Sequence, residues 1–150
     1  MGLIRMIMLF MLLFCSGNCL FAQEIVTLLS GKSSDSSFYH VERINDNEYW
    51  VCGEFGILKK LDTLGHIQNI EAPAEGMHLF KILRWNNYVF LAADHGKLIR
   101  YNLLTSEWKI KSFKGFKQRC FYDFTINDQG TIVLCGGHSK IAKGLSLIHI

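Results

Sequence analysis

Histidine and carboxylate side chains recur at matching places in this chain, which makes them the first candidates for chemistry. His95 follows Asp94 in one tight turn, and His138 follows Gly137 in a similar turn later in the chain. Glu54 occupies the position of Asp94 in an earlier, related segment. A metal site or a general base would require such groups to converge in space. Because turns on separate repeats lie apart, we interpret both histidines as solvated turn residues.

The other histidines form no ligand pattern either, and the sequence contains no catalytic motif. His40, His66 and His78 have no second ligand at a spacing that a metal site would use. The motifs of phosphate-binding loops, dinucleotide-binding folds, zinc proteases and serine hydrolases are absent. We therefore predict no catalytic residue, no cofactor-binding residue, no metal ligand and no cofactor.

The cysteines of the main part of the chain are Cys52, Cys120 and Cys135, and their wide spacing suits neither a disulfide framework nor a zinc site. Free cysteine is among the most buried residue types, so we expect all three to be small buried apolar residues. An oxidising compartment would allow one disulfide, and the sequence does not select the pair.

The N-terminus has the pattern of a secretory signal peptide. Arg5 is followed by an apolar run of ten residues, Met6–Cys15, and then by a polar break and the small residue Ala22. The run reaches only about half the length that a membrane-spanning helix needs. We therefore predict a cleaved signal peptide at 1–22, a secreted or extracytoplasmic location and no stable membrane span. Lipid attachment at Cys19 is the alternative.

The charge balance does not indicate a nucleic-acid-binding protein. The formal net charge is only +3 at pH 7, whereas nucleic-acid binding requires a concentrated basic face. The basic cluster of the chain consists of Lys109, Lys111, Lys114, Lys117 and Arg119. Lysines on an edge strand prevent it from pairing with other chains. We therefore interpret this cluster as a solvated edge strand and predict no nucleic-acid partner.

An internal repeat is the strongest pattern in the sequence. Three segments each contain an apolar run that ends in small residues, a tight polar turn and a renewed apolar run; they are 49–58, 89–98 and 132–141. The distance is 40 residues from Gly56 to Gly96 and 43 residues from Gly96 to Ser139. Turn-forming residues rich in Asn, Asp and Gly precede each apolar run.

Further strands are predicted around these runs, at 38–44, 57–61, 67–70, 78–83, 97–101, 108–112 and 120–126. In the last of them, alternation places Tyr122 on the same face as Phe124 and Ile126. Four short strands in about forty residues are typical of a propeller blade. The predicted fold is therefore all-β, a β-propeller fragment of about three four-stranded blades over 38–144. The third blade is incomplete and the ring is not closed; a sandwich or barrel is the alternative.

One family resemblance rests on the first repeat, in which tryptophan, glycine, leucine and aspartate have a regular spacing; the residues are Trp50, Gly53, Gly56, Leu58, Asp62 and Gly65. This arrangement resembles the blades of photosystem II stability-factor-like and sialidase-type (BNR) propellers, which implies a secreted bacterial propeller. The second repeat departs from it at Phe90, Ala93 and Asn102. The first repeat has one residue too many between Asp62 and Gly65 for a sialidase Asp-box.

The two ends of the chain carry separate expectations. Residues 23–37 are expected to form an N-terminal strand and a linker, with Ile25–Leu29 pairing with a later blade to close the ring. The last six residues, 145–150, match the translation of a transposon adapter used for sequencing libraries. We therefore interpret them as an artefact and expect the genuine sequence to end near Gly144.

These features favour a non-catalytic secreted propeller that binds a protein or a glycan. Exposed aromatic residues such as Phe55 or Trp85 could stack on sugar rings, although most Trp and Tyr side chains are expected between blades. Two alternatives stay open, because fold alone does not determine function. One is a propeller-based glycan hydrolase or lyase, and the other is the extracytoplasmic sensor of a signalling protein.

Overall fold

The computed structural model describes residues 36–137 and the strand 146–149. Within them the regular structure is β, apart from one short 3-10 turn at Glu54–Gly56. The strands form three antiparallel sheets. The predicted fold class, an all-β propeller fragment that does not close, is confirmed.

Each sheet is a meander in which sequence neighbours pair. The first sheet contains β1 (Phe38–Asn45), β2 (Glu48–Gly53), β3 (Leu58–Asp62) and β4 (Ile67–Asn69). The second contains β5 (Leu79–Trp85), β6 (Tyr88–Ala93), β7 (Lys97–Asn102) and β8 (Trp108–Ser112). The third contains β9 (Phe121–Ile126), β10 (Thr131–Gly136) and β11 (Ser146–His149). The predicted strands that precede residue 137 lie within two residues of these bounds.

The turns between the second and third strands explain why glycine recurs there. In the first sheet Phe55 and Gly56 have φ angles of 53° and 78°. In the second sheet His95 and Gly96 have φ angles of 55° and 63°. The residues that flank each turn form a backbone hydrogen bond of 3.0 or 3.2 Å. Two successive left-handed residues make a type I′ hairpin turn, whose twist matches that of the strands.

Two apolar cores lie between the sheets. The first core lies between the facing sides of the first and second sheets and includes Trp50, Cys52, Ile82 and Leu91. The second core joins the other face of the second sheet to the third sheet, and Phe90 and its neighbours form it with residues from β9 and β10. Opposite faces of the second sheet thus serve two cores, because successive side chains of a strand point to opposite sides.

The first strand of each sheet lies beside its counterpart, since β1 contacts β5 and β5 contacts β9. As β5 is an edge strand, some of its N–H groups face away from its own sheet. Side chains of β1 accept hydrogen bonds from two of these N–H groups. The Arg84 N–H donates to Glu42 Oε1 at 3.1 Å, and the Ile82 N–H donates to His40 Nδ1 at 3.4 Å. The inner edge of one blade is therefore stabilised by the blade before it.

We call β1, β5 and β9, the first strand of each sheet, the inner strands. A β-bulge occurs at the same position of all three. The pairing register shifts across Tyr39, Phe80 and Tyr122, which leaves each of them as the extra residue of its strand. The prediction that Tyr122 shares a face with Phe124 is wrong: Tyr122 is exposed and Phe124 is buried. The bulge is the physical reason, because one extra residue breaks the two-residue alternation.

The cysteines are only partly as expected. Cys52 is fully buried in the first core, and this burial raises the pKa of its thiol to about 12. Cys120 is half-buried, and Cys135 is exposed, so the prediction that all three are buried is wrong. Cys135 follows the buried Leu134 on β10 and therefore points away from the second core. All three are free thiols.

Several predicted features lie outside the described residues. They are the signal peptide 1–22 with Cys19, the strand Ile25–Leu29, most of the linker, and His138. The strand β11 pairs with β10, with Thr131 opposite His149 and Leu134 opposite Ser146. The interpretation of residues 145–150 as an adapter stays a prediction, because an apolar segment of any origin can pair with an open strand edge.

The packing between the first two sheets can be tested at Leu91, which is 0% exposed. Truncation of a buried leucine removes apolar contacts and leaves a cavity, so Leu91→Ala should lower the free energy of unfolding by about 2–5 kcal/mol. Urea unfolding followed by tryptophan fluorescence would measure it. Leu104→Ala is the matched control, since Leu104 is 74% exposed and should change stability by less than about 0.5 kcal/mol. Equal effects of the two variants would contradict this packing.

Candidate binding site at the inner strands

The three bulges place three aromatic rings side by side across the blades. We call Tyr39, Phe80 and Tyr122 the aromatic row. The centroids of the Tyr39 and Phe80 rings lie 5.3 Å apart at an angle of 10°, so these rings are stacked. Phe80 meets Tyr122 edge to face at 5.0 Å. Tyr39 is 41% exposed and Tyr122 is 52% exposed, so the row presents aromatic surface to solvent.

Two further rings flank the aromatic row. Phe55, at the tip of its turn, is 63% exposed, and its ring lies 5.2 Å from that of His78. The His78 ring in turn lies 6.2 Å from Phe80. A phenylalanine with a left-handed backbone is uncommon, and such residues concentrate at functional positions. Within the described part of the chain, His78 Nδ1 is a buried polar atom that has no hydrogen-bond partner.

The aligned carboxylates Glu54 and Asp94 have the same structural task. The Glu54 N–H donates to the Ser37 carbonyl at 3.0 Å, and the Ser37 N–H donates to Glu54 Oε2 at 3.0 Å. The Asp94 N–H donates to the His78 carbonyl at 3.2 Å, and the His78 N–H donates to Asp94 Oδ2 at 3.1 Å. Each carboxylate thus fixes the residue that precedes an inner strand. This reciprocal pair of bonds positions the start of β1 and β5, where the aromatic row begins.

Glu54 also holds one ring of the row directly. The Tyr39 hydroxyl donates to Glu54 Oε1 at 3.0 Å. The hydrogen bonds from the Ser37 N–H and from Tyr39 hold the pKa of Glu54 below its usual value. Desolvation, followed by the bond to the Glu54 carboxylate, raises the pKa of Tyr39. The phenol of Tyr39 therefore stays protonated and fixed, so its ring keeps one orientation.

A polar row lies next to the aromatic row, one position further along each inner strand. It consists of His40, Lys81 and Asp123. Lys81 Nζ forms an ion pair with Asp123 Oδ1, and this hydrogen bond holds the pKa of Asp123 below its usual value. Desolvation lowers the pKa of His40. The site therefore combines exposed ring faces with adjacent groups that can donate or accept hydrogen bonds.

The sequence-predicted candidates lie in different environments. The side chain of His95 is 61% exposed, and its Nδ1 lies 2.7 Å from Asp94 Oδ1. His66 Nδ1 forms a similar 2.7 Å contact with Asp62 Oδ2 at the β3–β4 turn. Within residues 36–137 and 146–149, no three His, Cys, Asp or Glu side chains come together as metal ligands. Of the two aromatic candidates for sugar stacking, Phe55 is exposed, whereas Trp85 packs against the second core.

Sequence reasoning did not identify the aromatic row. The usable signal was an aromatic residue at equal repeat positions, since Phe80 follows Tyr39 by 41 residues and Tyr122 follows Phe80 by 42. A strand with strict alternation hides this signal, because it assigns Tyr122 to the buried face. Only the bulge brings the three rings to one exposed surface.

Comparisons with known proteins support the fold. No protein-family model and no curated protein matches the sequence. A crystal structure of the extracellular domain of a protein assigned to the one-component systems, from B. thetaiotaomicron, aligns with a TM-score of 0.54 and 18% sequence identity. The alignment covers 67% of this chain and 14% of that chain, so the chain spans a small part of that protein. In the described part of this chain, no helix is long and apolar enough to cross a membrane.

The carboxylate that fixes the start of β5 can be tested with Asp94→Ala. Asp94 is only 7% exposed, and its loss leaves the half-buried His78 N–H without its acceptor. An unsatisfied buried donor costs about 1–3 kcal/mol, so we expect a loss of stability in that range. Amide hydrogen exchange at His78 should accelerate as well. Asp94→Asn keeps an acceptor oxygen and should retain more of the protection, and equal exchange in both variants would contradict this role.

The lowered pKa of His40 predicts a pH dependence of stability. Because the folded chain binds this proton less readily than the unfolded chain, stability is greatest above the unfolded histidine pKa of about 6.5. It then falls as the pH decreases from there towards the folded pKa. His40→Gln does not titrate and keeps an acceptor for the Ile82 N–H, so the decrease between pH 7.5 and 5.5 should be smaller.

Urea unfolding at several pH values would measure this effect. His66→Gln is the control, because His66 lies on an exposed turn of the first sheet and does not accept the bond from β5. A His40→Gln variant whose pH profile matches that of the wild type would contradict the assignment.

Proposed function

We propose that this chain is part of a non-catalytic extracytoplasmic propeller that binds a glycan at its inner strands. The observation that carries this proposal is the aromatic row, in which three successive blades place rings in mutual contact at equivalent positions, with Tyr39 and Tyr122 exposed and Phe80 half-buried between them. A protein that needed these rings only for its core would bury them. Here the cores are formed by other residues, and the row lies outside both.

The chemistry of the row suits sugar rings. The C–H face of a pyranose is apolar and lies flat against an aromatic face, while its hydroxyl groups require hydrogen-bonding partners at the edge. Lys81 and Asp123 provide such groups beside the row. Ring spacings of 5.3 and 5.0 Å make a continuous surface rather than three separate contacts.

The arrangement of the carboxylates near the row is more consistent with glycan binding than with glycan hydrolysis. A glycosidase needs two carboxyl groups that face the scissile bond, one of them free to donate a proton. Near the row, Glu54 and Asp94 each accept backbone N–H bonds, and Asp123 is paired with Lys81. The pKa values of Glu54 and Asp123 lie below the usual range, which is unsuited to a general acid.

The extracytoplasmic location and the finer family assignment are part of this proposal. The signal-peptide pattern at 1–22 supports export, with Cys19 as the site of the lipid-anchored alternative. The structural neighbour is itself an extracellular domain, which agrees with export. The spacing of Trp50, Gly53 and Gly56 supports a blade of the photosystem II stability-factor-like or BNR type.

The structural neighbour also favours one second candidate, the sensor domain of a signalling protein. It belongs to a protein assigned to the one-component systems, of which the matched region is a small part. The complete reading frame of the gene distinguishes the candidates. Further blades, a membrane-spanning segment and a cytoplasmic effector region would support the sensor, whereas blades followed by a terminal β-domain would support a secreted binder.

Glycan binding can be tested with the full chain on an array of neutral and charged oligosaccharides, followed by calorimetry with the sugar retained best. We expect wild-type binding and weaker binding of Phe80→Ala and Tyr122→Ala. An aromatic stacking contact is worth about 0.5–1.5 kcal/mol, so each variant should raise the dissociation constant roughly two- to tenfold.

Leu64→Ala is the matched control, since Leu64 is an apolar residue that is 80% exposed on the β3–β4 turn of the first sheet. It should bind like the wild type. The proposal is overturned if no oligosaccharide is retained, or if the row variants and Leu64→Ala bind equally well.

A further inference from the structure

A second surface, distinct from the aromatic row, lies at the outer edge of the second sheet. In this sheet β8 is the outermost strand, as the lysine-rich sequence predicts. Arg100 of β7 lies directly opposite Lys109 of β8, and Lys111 lies opposite Leu98. Residues that face each other across two strands share a side of the sheet, so Arg100, Lys109 and Lys111 form one line. We call these three residues the basic row.

The cross-strand pair of Arg100 and Lys109 is unfavourable for folding, because like charges directly opposite each other repel. The first sheet shows that the fold does not need this pair. There Lys60, at the position that corresponds to Arg100, lies opposite the neutral Gln68. A like-charge pair that lowers stability and contributes nothing to the core indicates a function.

The segment that carries the basic row is also strongly positive. The segment from Lys97 to Arg119 contains seven basic residues and one acidic residue, Glu107. None of these seven is among the four carboxylate pairs formed within the described ranges, which involve Arg43, His66, Lys81 and His95. Lys109 and Lys111 are exposed. The positive charge is therefore available to a partner.

Aromatic rings hold two of the three cations in place. The Arg100 guanidinium lies 4.8 Å from the centroid of the Tyr88 ring, and Lys111 Nζ lies 5.7 Å from that of Phe113. Phe113 in turn contacts Phe121 of β9 edge to face at 5.6 Å. The row thus follows the junction of the second and third sheets. Such cation–π contacts orient the charges before a ligand binds, which reduces the entropy that binding costs.

We propose that the basic row binds an anionic polysaccharide. Charge complementarity requires a polyanion, and the linear arrangement along one strand suits a chain with acidic groups at regular intervals. A membrane surface would be recognised by cations together with apolar residues on the same side. Here the exposed apolar residue of β8, Ile110, pairs with Ile99 and lies on the opposite side of the sheet. This proposal does not depend on the aromatic row.

Heparin and polygalacturonate are suitable probes, with dextran as the uncharged control. We expect the full chain to bind both polyanions at low ionic strength, to release both at high salt and not to bind dextran. The double variant Lys109→Gln, Lys111→Gln should bind roughly five- to tenfold more weakly, at the energy of two exposed ion pairs. The single variant Lys109→Gln places a neutral glutamine opposite Arg100, as Gln68 lies opposite Lys60 in the first sheet. Because it removes a like-charge repulsion, it should unfold at a slightly higher urea concentration than the wild type.

The matched control is the double variant Lys59→Gln, Lys60→Gln, which removes the same charge from the first sheet and should bind like the wild type. Equal loss in both double variants would overturn the proposal, because net charge would then explain the binding. Self-association of Lys109→Gln, Lys111→Gln with unchanged polyanion binding would show that the lysines only protect an edge. Binding to phosphatidylglycerol vesicles without binding to either polysaccharide would also overturn it.

Discussion

The structure depends on the face-to-face packing of successive sheets, since no single sheet of this chain can bury its own apolar residues. The second sheet shows this most directly: Ile82 and Leu91 face the first sheet, whereas Phe90 and Leu98 face the third. Burial on both sides makes its central strand apolar almost throughout. The first strands of the sheets then lie closest together, and the outer strands are left at an exposed edge.

This packing gives the two candidate surfaces their different characters. At the inner strands, equal positions of successive blades become neighbours, so one bulge per blade is enough to build the aromatic row. The reciprocal bonds of Glu54 and Asp94 fix the strand starts that carry those rings. At the outer edge the strands of successive blades do not lie side by side, so a surface such as the basic row is built from the second sheet alone. Repetition therefore creates the inner site, and departure from repetition creates the outer one.

The strand pattern and the repeat were predictable because they depend on local chemistry. Apolar runs, two-residue turns and the glycines at Gly56 and Gly96 are each visible in the sequence. The candidate site was not predictable, because it depends on where the alternation fails. Tyr122 looks like a core residue until the bulge turns it outward. Cys135 has the repeat position of Cys52, yet it is exposed, because no sheet in the described part of the chain packs on that side of the third sheet. Glu54 and Asp94 were correctly aligned, yet their bonds to the preceding strand starts require tertiary structure.

The central claim is that three blades bring Tyr39, Phe80 and Tyr122 into one continuous row. The most direct test is a nuclear Overhauser experiment on the full chain with labelled aromatic side chains. The account predicts cross-peaks between ring protons of Tyr39 and Phe80 and between those of Phe80 and Tyr122, because the centroids lie 5.3 and 5.0 Å apart. Their absence, with cross-peaks from Tyr122 to the buried Phe124 cluster instead, would show an unbulged strand and contradict the account.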